Sequence, residues 1–350
     1  MLSSHFVAPL SMSMKPSAKS APKSGSAPCN KLQNGNQADV LTVFLTGSEL
    51  GALKPCGCSG GQLGGLDRRA AVFNSVPPSK QMIVDTGSFV KSHSDQDLIK
   101  FSIIVEAFGL LNYDLVNLTE KDIEFAQNLG LLQSIGSAFN IISSQSGDDV
   151  NVPAKFTKHL SLKKRSVPVT IAAFDTKLTP IKQVGTLFAS RPGLHTVNIL
   201  ILDRCDTPTV NSITDMGVVD CLVCPSESDE PAVVGDPNNS PLIISVGRYG
   251  KYVGKLQIRA DQATGKLNLS FSPVDVNESL PQESSLVELH KAYQQIVKDE
   301  NLLEKQPRFS LPNGLEYTGS QCCKHCHKYE YEKWSTNSSI CARCAPSTKT

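Results

Sequence analysis

The stretch from Leu41 to Ala71, LTVFLTGSELGALKPCGCSGGQLGGLDRRAA, constrains the fold of this chain more than any other part of it. It starts with an apolar, β-branched run, continues into a loop rich in glycine and cysteine, and ends in a helical pattern led by arginines. This order predicts the first strand–loop–helix unit of an α/β domain. In such domains ligands bind beyond the carboxyl ends of the strands, so we expect a site in the loop that follows Leu45.

Short β-branched runs and helical patterns keep alternating from Ala38 to about Pro273. The alternation predicts strands covered by helices, and therefore a layered α/β architecture. The predicted strands lie in VLTVFLT, QMIVDTG, DLVNLT, FNIISS, VPVTIAAFD, VNILILD, VVDCLVC and PLIISVG. The predicted helices lie in FSIIVEAFGLLN and IEFAQNLGLLQSIG, and KYVGKLQIRADQATGKLNLSFSPVDV predicts a β-hairpin that turns at ATGK.

Four segments of this region carry a resemblance to a known family. They are TGSELGALKPCGCSGGQLGGLDRRA, QMIVDTGSF, YDLVNLTEKDIEF and IISVGRYGKYVGKLQI. In order and spacing they resemble motifs of the 5'-nucleotidase branch of the calcineurin-like metallophosphoesterases. The resemblance implies that residues 39–275 form an α/β domain of that kind, a four-layer metallophosphoesterase-like sandwich.

The side chains that bind metal in that family are replaced in this sequence. The aligned positions carry Ser48, Leu50, Ser88, Lys121 and, for the later histidines, residues near Arg204 and Ser226. A two-metal phosphatase needs carboxylates and imidazoles that hold two cations about 3.5 to 4 Å apart. Ser, Leu, Lys and Arg cannot replace them, so we expect a degenerate domain that does not hydrolyse phosphate esters.

An active enzyme is the alternative interpretation of the same region. It would be a metal-dependent phosphoesterase of the 5'-nucleotidase type that binds metal through unusual ligands. The candidates for those ligands are Glu49, Asp85, Glu120 and Cys58. The carboxylates of Glu49, Asp85 and Glu120, together with Asp122, form either a residual acidic patch or an ordinary set of loop carboxylates.

Cys56 and Cys58 in the first loop are candidate redox residues. The pair has three interpretations: reactive thiols, half of a metal site shared with Cys221 and Cys224, or two small residues in a tight loop. The surrounding glycines give no packing reason for cysteine, whereas Cys221 and Cys224 lie in a strand-like run where burial is expected. A disulfide between cysteines one residue apart would be strained and easily reduced.

The composition changes after Val276. SLVELHKAYQQIVKDENLLEKQ places Leu286, Leu289, Tyr293, Ile296 and Leu303 at near-helical spacing, with charged residues between them. This pattern predicts one amphipathic helix within a helical connector at residues 276–310. A small Cys-rich tail follows at residues 311–350.

The tail contains Cys323-Lys324-His325-Cys326-His327, the C-x-x-C-H pattern of haem c attachment. Both thiols then bind the porphyrin, and His327 is an axial ligand of the iron. The flanking Y-x-G-S and Trp334 resemble the first haem site of multihaem cytochromes c fused to 5'-nucleotidase-like domains. The resemblance implies a haem c cofactor, an electron-transfer or redox-associated function, an unknown redox partner and an extracytoplasmic, periplasmic location.

A structural zinc site is the competing interpretation of the tail. The spacing Cys323-x2-Cys326-x14-Cys341-x2-Cys344 is close to that of four-thiolate zinc sites. Haem attachment takes place outside the cytoplasm, yet no secretory signal is visible, because the apolar HFVAPL segment is short and lacks a basic start. Haem and zinc therefore both stay open at this point.

Composition and charge argue against two kinds of partner. The chain has 34 basic and 33 acidic residues, too balanced for the electrostatic footprint of a nucleic-acid-binding protein. No apolar run approaches the ~20 residues needed to span a bilayer, so no transmembrane segment is expected. Residues 1–38 are rich in Ser, Pro, Lys and Asn and predict a disordered N-terminal tail.

Overall fold

The structure of the chain is a computed structural model. It describes residues 40–55, 61–145, 152–162, 165–188, 196–238, 240–261, 263–302, 304–305 and 320–336. The predictions for the N-terminal tail, for Cys56 and Cys58, and for Cys341 and Cys344 fall outside these residues and stay predictions.

The first sheet is built mainly from the N-terminal half of the described chain. Its elements are β1 (Val40–Thr46), α1 (Leu66–Phe73), β2 (Gln81–Asp85), α2 (Asp95–Leu110), β3 (Leu115–Asn117), α3 (Glu120–Asn128), α4 (Leu132–Ala138) and β4 (Asn140–Ile142). The four strands are parallel and adjacent in chain order. Each crossover carries a helix, as parallel neighbours require.

The second sheet follows along the chain. Its elements are β5 (Lys155–Leu162), β6 (Arg165–Phe174), α5 (Val184–Leu187), β7 (Val197–Leu202), α6 (Thr207–Met216), β8 (Cys221–Cys224), β9 (Ala232–Val233) and β10 (Leu242–Ser245). The strand order is β5-β6-β7-β8-β10-β9, and β6, β7, β8 and β10 are parallel. Short 3-10 helices lie at Pro78–Lys80, Ile181–Gln183 and Ser320–Cys322.

The predicted hairpin returns the chain to the first sheet. Its strands are β11 (Tyr252–Ala260) and β12 (Leu267–Asp275), and β11 pairs antiparallel with β1. The strand order of the first sheet is therefore β12-β11-β1-β2-β3-β4. In this sheet β1 lies between the antiparallel strand β11 and the parallel strand β2.

The two sheets pack face to face, and helices cover their outer faces. In β1, Leu41, Val43 and Leu45 join the core between the sheets, whereas Phe44 points to the helices of the outer layer. This alternation follows from the two-residue period of a strand. A third core joins the outer face of the second sheet to α5 and α6. The chain thus forms an α/β sandwich of four layers, which confirms the predicted fold class.

The amphipathic helix predicted after Val276 is α7 (Ser284–Asp299). Leu286, Leu289 and Tyr293 are buried in the outer core of the first sheet, as the pattern predicts. Ile296 is 39% exposed, and Val297 takes the buried position instead. The apolar stripe follows a true 3.6-residue period, which moves the contact one residue beyond the predicted one.

The differences from the sequence-based expectation include a divided helix and an unpredicted strand. IEFAQNLGLLQSIG forms two helices, α3 and α4, because Gly130 adopts a left-handed φ of 66° between them. The strand β5, KFTKHLSL, was not predicted. It is an edge strand whose residues are mostly exposed or half-buried, so it lacks the apolar run typical of the other strands.

The tail contributes two short helices to the described residues, α8 (Cys323–Cys326) and α9 (Lys328–Thr336). His327 lies between them. Among the helices of the described ranges, none combines the length and apolar composition that a bilayer crossing requires.

Candidate functional site

A cleft of about 500 Å³ lies where the parallel strands of both sheets end. Loops after β1, β2 and β3 supply one wall, and loops after β6, β7 and β8 supply the other. Its wall carries six hydroxyl side chains: Ser48, Thr86, Ser88, Thr119, Ser144 and Ser226. The site therefore lies beyond the carboxyl ends of the strands, where the sequence predicts it.

Strained backbone holds the loops that follow β1 and β2. Ser48, Leu50 and Ser88 have φ values of 50°, 50° and 68°, in the left-handed region that residues other than glycine rarely adopt. Backbone hydrogen bonds tie the two loops together, from Ser48 N to Gly87 O (2.8 Å) and from Leu50 N to Ser88 O (3.2 Å). The strain concentrates at the cleft, as it commonly does at functional sites.

Asp122 fixes the loop after β2 from the start of α3. Its carboxylate accepts hydrogen bonds from the backbone N–H groups of Ser88 (2.8 Å), Phe89 (3.0 Å) and Thr119 (3.0 Å). The Thr119 hydroxyl also donates to it, at 2.6 Å. Burial raises the pKa of Asp122, against these hydrogen bonds. The side chain is thus committed to holding the loop, which leaves it poorly placed to bind metal.

Five buried side chains form a polar network at the ends of β1 and β2. Arg69 forms an ion pair with Glu49, in which Nη2 donates to Oε2 at 2.8 Å and Nη1 lies 2.8 Å from Oε1. Arg69 Nη1 also donates to Tyr113 Oη at 3.0 Å. Thr46 Oγ1 joins Tyr113 Oη (2.9 Å) to Asp85 Oδ2 (2.7 Å). Burial and the nearby Glu49 carboxylate raise the pKa of Asp85 to about 8.

This network occupies two of the four unusual ligands that the alternative interpretation offers. Glu49 is fully buried in the ion pair with Arg69, and Asp85 is fully buried against Thr46 and the N–H of Gly87. Neither residue lines the cleft. Of the other two, Glu120 lines the cleft, and Cys58 lies outside the described residues.

The cleft wall does not fit a two-metal site of the kind that the resemblance implies. The wall includes Ser48, Ser88, Lys121 and Ser226, which stand at or near the positions where the resemblance implies metal ligands. Within the described ranges, no three His, Cys, Asp or Glu residues come together as a metal-binding group. A lysine ammonium has no lone pair to offer a cation and repels it. Whether the domain binds metal through other ligands stays a prediction.

Charged groups line both walls of the cleft. Lys121 belongs to the first turn of α3, and Lys177 follows β6 on the opposite wall. The acidic residues in the wall are Glu120, Asp175 and Asp203. Asp203 already accepts from Thr176 N (2.9 Å), and Asp175 accepts from the N–H of Lys177 (2.7 Å). This mixture suits a polar ligand that carries hydroxyl and charged groups.

A disulfide between Cys205 and Cys224 borders the same cleft. The sequence places Cys224 beside Cys221 and gives no signal of this bond, because the bond joins residues 19 positions apart. Cys221 is a fully buried thiol in the core between the sheets, and burial raises its pKa. Because Cys224 is bonded to Cys205, Cys221 and Cys224 do not form half of a metal site shared with Cys56 and Cys58.

The predicted haem residues of the tail lie in α8 and directly after it. The backbone of Cys323 and Cys326 lies in the single turn of α8, and His327 follows directly. The side chain of Cys326 is exposed. The haem set Cys323, Cys326 and His327 and the zinc set that adds Cys341 and Cys344 both stay predictions.

Solved structures share this fold. The chain is similar to a 5'-nucleotidase precursor from Thermus thermophilus, at 16% identity and a TM-score of 0.53, over 74% of this chain and 59% of that one. It is also similar to the calcineurin-like phosphoesterase YfkN from Bacillus subtilis, at 13% identity and a TM-score of 0.53, over 75% and 99%. Sulfate thiohydrolase SoxB from Thermus thermophilus matches at 11% identity and a TM-score of 0.55, over 77% and 62%.

These likenesses define the class of the fold. It is the metallophosphoesterase fold of 5'-nucleotidases and calcineurin-like phosphoesterases. The chain spans less than two thirds of the length of the nucleotidase precursor and of SoxB. No protein-family profile matches the sequence. No curated protein matches it by sequence.

Proposed function

We propose that the cleft binds a small phosphorylated ligand that is rich in hydroxyl groups, without the two-metal centre of catalytic metallophosphoesterases. The observation that carries this proposal is the composition of the wall, in which six hydroxyls and the lysines Lys121 and Lys177 lie where the strands end. The hydroxyls of Thr86, Thr119 and Ser226 each already make one or more hydrogen bonds within the protein. Hydroxyls exchange hydrogen bonds with a sugar or a phosphate, and lysine supplies the charge that a phosphate needs.

The position of Lys121 favours a phosphate on the wall formed by α3. Lys121 lies in the first turn of this nine-residue helix, and its ammonium supplies positive charge at the cleft wall, next to the carboxylate of Glu120. The acidic residues on the opposite wall oppose a phosphate less, because Asp175 and Asp203 accept hydrogen bonds from their own loops. We therefore place the phosphate near Lys121 and the hydroxyl-bearing part of the ligand across the cleft.

Calorimetric titration of the protein with adenosine monophosphate, ribose 5-phosphate and inorganic phosphate tests the proposal. Lys121→Gln and Lys177→Gln should each weaken binding about 3- to 10-fold, as the loss of about 1 kcal/mol from a partly exposed charge implies. Lys182→Gln is the matched control, since Lys182 is exposed and lies outside the cleft wall. The proposal fails if no phosphorylated ligand binds, or if the control variant weakens binding equally.

Hydrolysis is the second candidate function, and the likeness to 5'-nucleotidases and calcineurin-like phosphoesterases favours it. The assay is release of phosphate from nucleoside monophosphates with and without Mn²⁺. Under our proposal the rate stays at the level of a protein-free control. Metal-dependent release that is lost in Glu120→Gln would establish a hydrolase with unusual ligands instead.

For the tail we propose one covalent haem c on Cys323 and Cys326, with His327 as the axial ligand. Support comes from the C-x-x-C-H pattern and from the helical turn that brings the two cysteine backbones to the same side. The role would then be electron transfer with an unknown partner. The Cys₄ zinc site with Cys341 and Cys344 is the alternative.

An absorption spectrum separates the two tail proposals. Expression with cytochrome c maturation enzymes should give a Soret band that survives acid-acetone extraction and disappears in Cys323→Ala. Lys324→Ala is the control, because it leaves both thiols and His327 in place. A colourless protein with one zinc per chain would refute haem attachment.

We also propose an extracytoplasmic location. Haem c attachment requires it, and the Cys205–Cys224 disulfide supports it independently, because disulfides persist mainly in oxidising compartments. Cell fractionation of the native host, with thiol labelling before lysis, measures both the location and the state of this bond. Recovery of the chain in the cytoplasm with both thiols reduced would refute the proposal.

A further inference from the structure

The Cys205–Cys224 disulfide is located at the wall of the cleft. Cys224 ends β8 and lines the cleft, with 7% of its surface exposed. Cys205 lies in the loop between β7 and α6 and is partly exposed. By contrast, Cys221 lies three residues earlier in the same strand and is fully buried between the sheets. One residue of the bond therefore borders a space that a small molecule can enter.

The bond also joins two segments that form the wall. Asp203 lines the cleft two residues before Cys205, and Ser226 lines it two residues after Cys224. Ser226 is tied in turn to the end of β10, where Val246 N donates to its hydroxyl at 3.2 Å. Opening the disulfide would release the loop that carries Asp203 from the loop after β8 that carries Ser226. The state of the bond is thus linked to the shape of the cleft.

We propose that this disulfide is a redox site of the cleft, which exchanges with a low-molecular-weight thiol that enters there. The thiolate of the small molecule attacks Cys224 Sγ, the Cys205–Cys224 bond breaks, and Cys205 leaves as a thiolate that takes a proton from water. A second small thiolate then attacks the mixed disulfide. It releases the oxidised small molecule as its disulfide and leaves Cys224 as a thiolate, which is protonated by water. Two thiols are oxidised and one protein disulfide is reduced.

The surroundings of both sulfurs favour this order of events. Cys224 is the residue of the bond that lines the cleft, and with only 7% of its surface exposed it admits a compact thiol but not a protein surface. Cys205 precedes the N-cap of α6, a ten-residue helix, and the N-terminal end of a helix stabilises a leaving thiolate. The adjacent Arg204 and Asp206 form an ion pair at 2.8 Å, so their charges largely cancel.

Mapping of the mixed disulfide tests the proposal. The oxidised full-length protein is incubated with 2-mercaptoethanol, quenched with iodoacetamide and digested for mass spectrometry. We expect the 2-mercaptoethanol adduct on Cys224 and the carbamidomethyl group on Cys205. An adduct mainly on Cys205 would overturn the proposed direction of attack, and a bond that opens only in denaturant would overturn the redox site itself.

A pair of single-thiol variants tests entry through the cleft. In Cys205→Ser, we compare the rate of the remaining Cys224 thiol with methyl methanethiosulfonate to its rate with a 5-kDa polyethylene glycol maleimide. The ratio of these two rates should be at least 10-fold higher than the same ratio for a free thiol. In Cys224→Ser, the Cys205 thiol should show no such selectivity for size. Equal selectivity in the two variants refutes entry through the cleft. Should either variant fail to fold, the adduct map of the unmodified protein decides. Neither test depends on phosphate binding.

Discussion

Replacing Asp85 with asparagine tests the charge state of the network at the ends of β1 and β2. Asp85 has a pKa of about 8 in the folded protein against an ordinary value of 3.8, mainly because burial disfavours its charge. Between these two values the native state binds one proton more than the unfolded state. The free energy of unfolding therefore falls by about 1.4 kcal/mol for each pH unit of increase. The stability that the protonated Asp85 contributes is lost progressively as pH rises towards 8.

The asparagine side chain of the Asp85→Asn variant would mimic the protonated acid. In the unmodified protein Gly87 N donates to Asp85 Oδ1 at 2.8 Å, and the asparagine carbonyl oxygen can accept the same hydrogen bond. The asparagine amide can donate to Thr46 Oγ1. Asparagine does not titrate, so this source of pH dependence disappears in the variant. From pH 5 to pH 7, Asp85→Asn should gain about 3 kcal/mol in stability relative to the unmodified protein.

Urea denaturation followed by far-UV circular dichroism at pH 5, 6 and 7 measures this difference. Taking the difference between variant and unmodified protein cancels other titrating groups, including Asp122, whose pKa is raised, and His290, whose pKa is lowered by burial. Asp215→Asn, at an exposed position on α6, is the matched control and should shift all three curves equally. Parallel pH profiles for Asp85→Asn and the unmodified protein would refute a protonated Asp85.

Three further predictions concern the same region. Arg69→Met leaves the buried Glu49 charge unpaired and should cost about 3 to 5 kcal/mol in urea denaturation, and Glu49→Leu added to it should recover much of that loss. Gly250→Ala places a Cβ against Arg69 Nη2 and 2.7 Å from Glu49 Oε2, so it should destabilise by about 3 kcal/mol, whereas Gly185→Ala in open space should not. Cys56 and Cys58 should be alkylated in the folded protein; if both resist while Cys29 reacts, the pair is structural.

The sequence predicts most of the fold because strands and helices have local periods. Most strands and helices of the sandwich lie in the predicted runs, including β1, β7 and α7. The edge strand β5 escaped prediction because its pairing with β6, and not an apolar pattern of its own, makes it a strand. The break between α3 and α4 depends on the left-handed conformation of Gly130, which is compatible with a helix pattern on either side.

The position of the candidate site was also predictable, but its internal contacts were not. Loops after strands place Ser48, Ser88 and Lys121 in one cleft, as topology requires. The disulfide partner of Cys224 depends on how β7 and β8 lie in the sheet, and no local pattern reports that. The commitment of Glu49 to Arg69 likewise depends on a helix that packs behind the loop. Contacts of this kind require the fold first.

The backbone at the mouth of the cleft argues that its side chains are held in fixed positions for a ligand. Left-handed conformations at Ser48, Leu50 and Ser88 each cost roughly 1 kcal/mol or more. They persist because the two loops bond to each other and because Asp122 binds the N–H groups of the second loop. A wall held in this way loses little further freedom when a ligand binds, so its hydroxyls can hold a small phosphorylated molecule at lower entropic cost. Because the loops after β1 and β2 are held in this way, breaking the Cys205–Cys224 bond should act mainly on the opposite wall, formed by the loops after β6, β7 and β8. There the relative position of Asp203 and Ser226 depends on the disulfide.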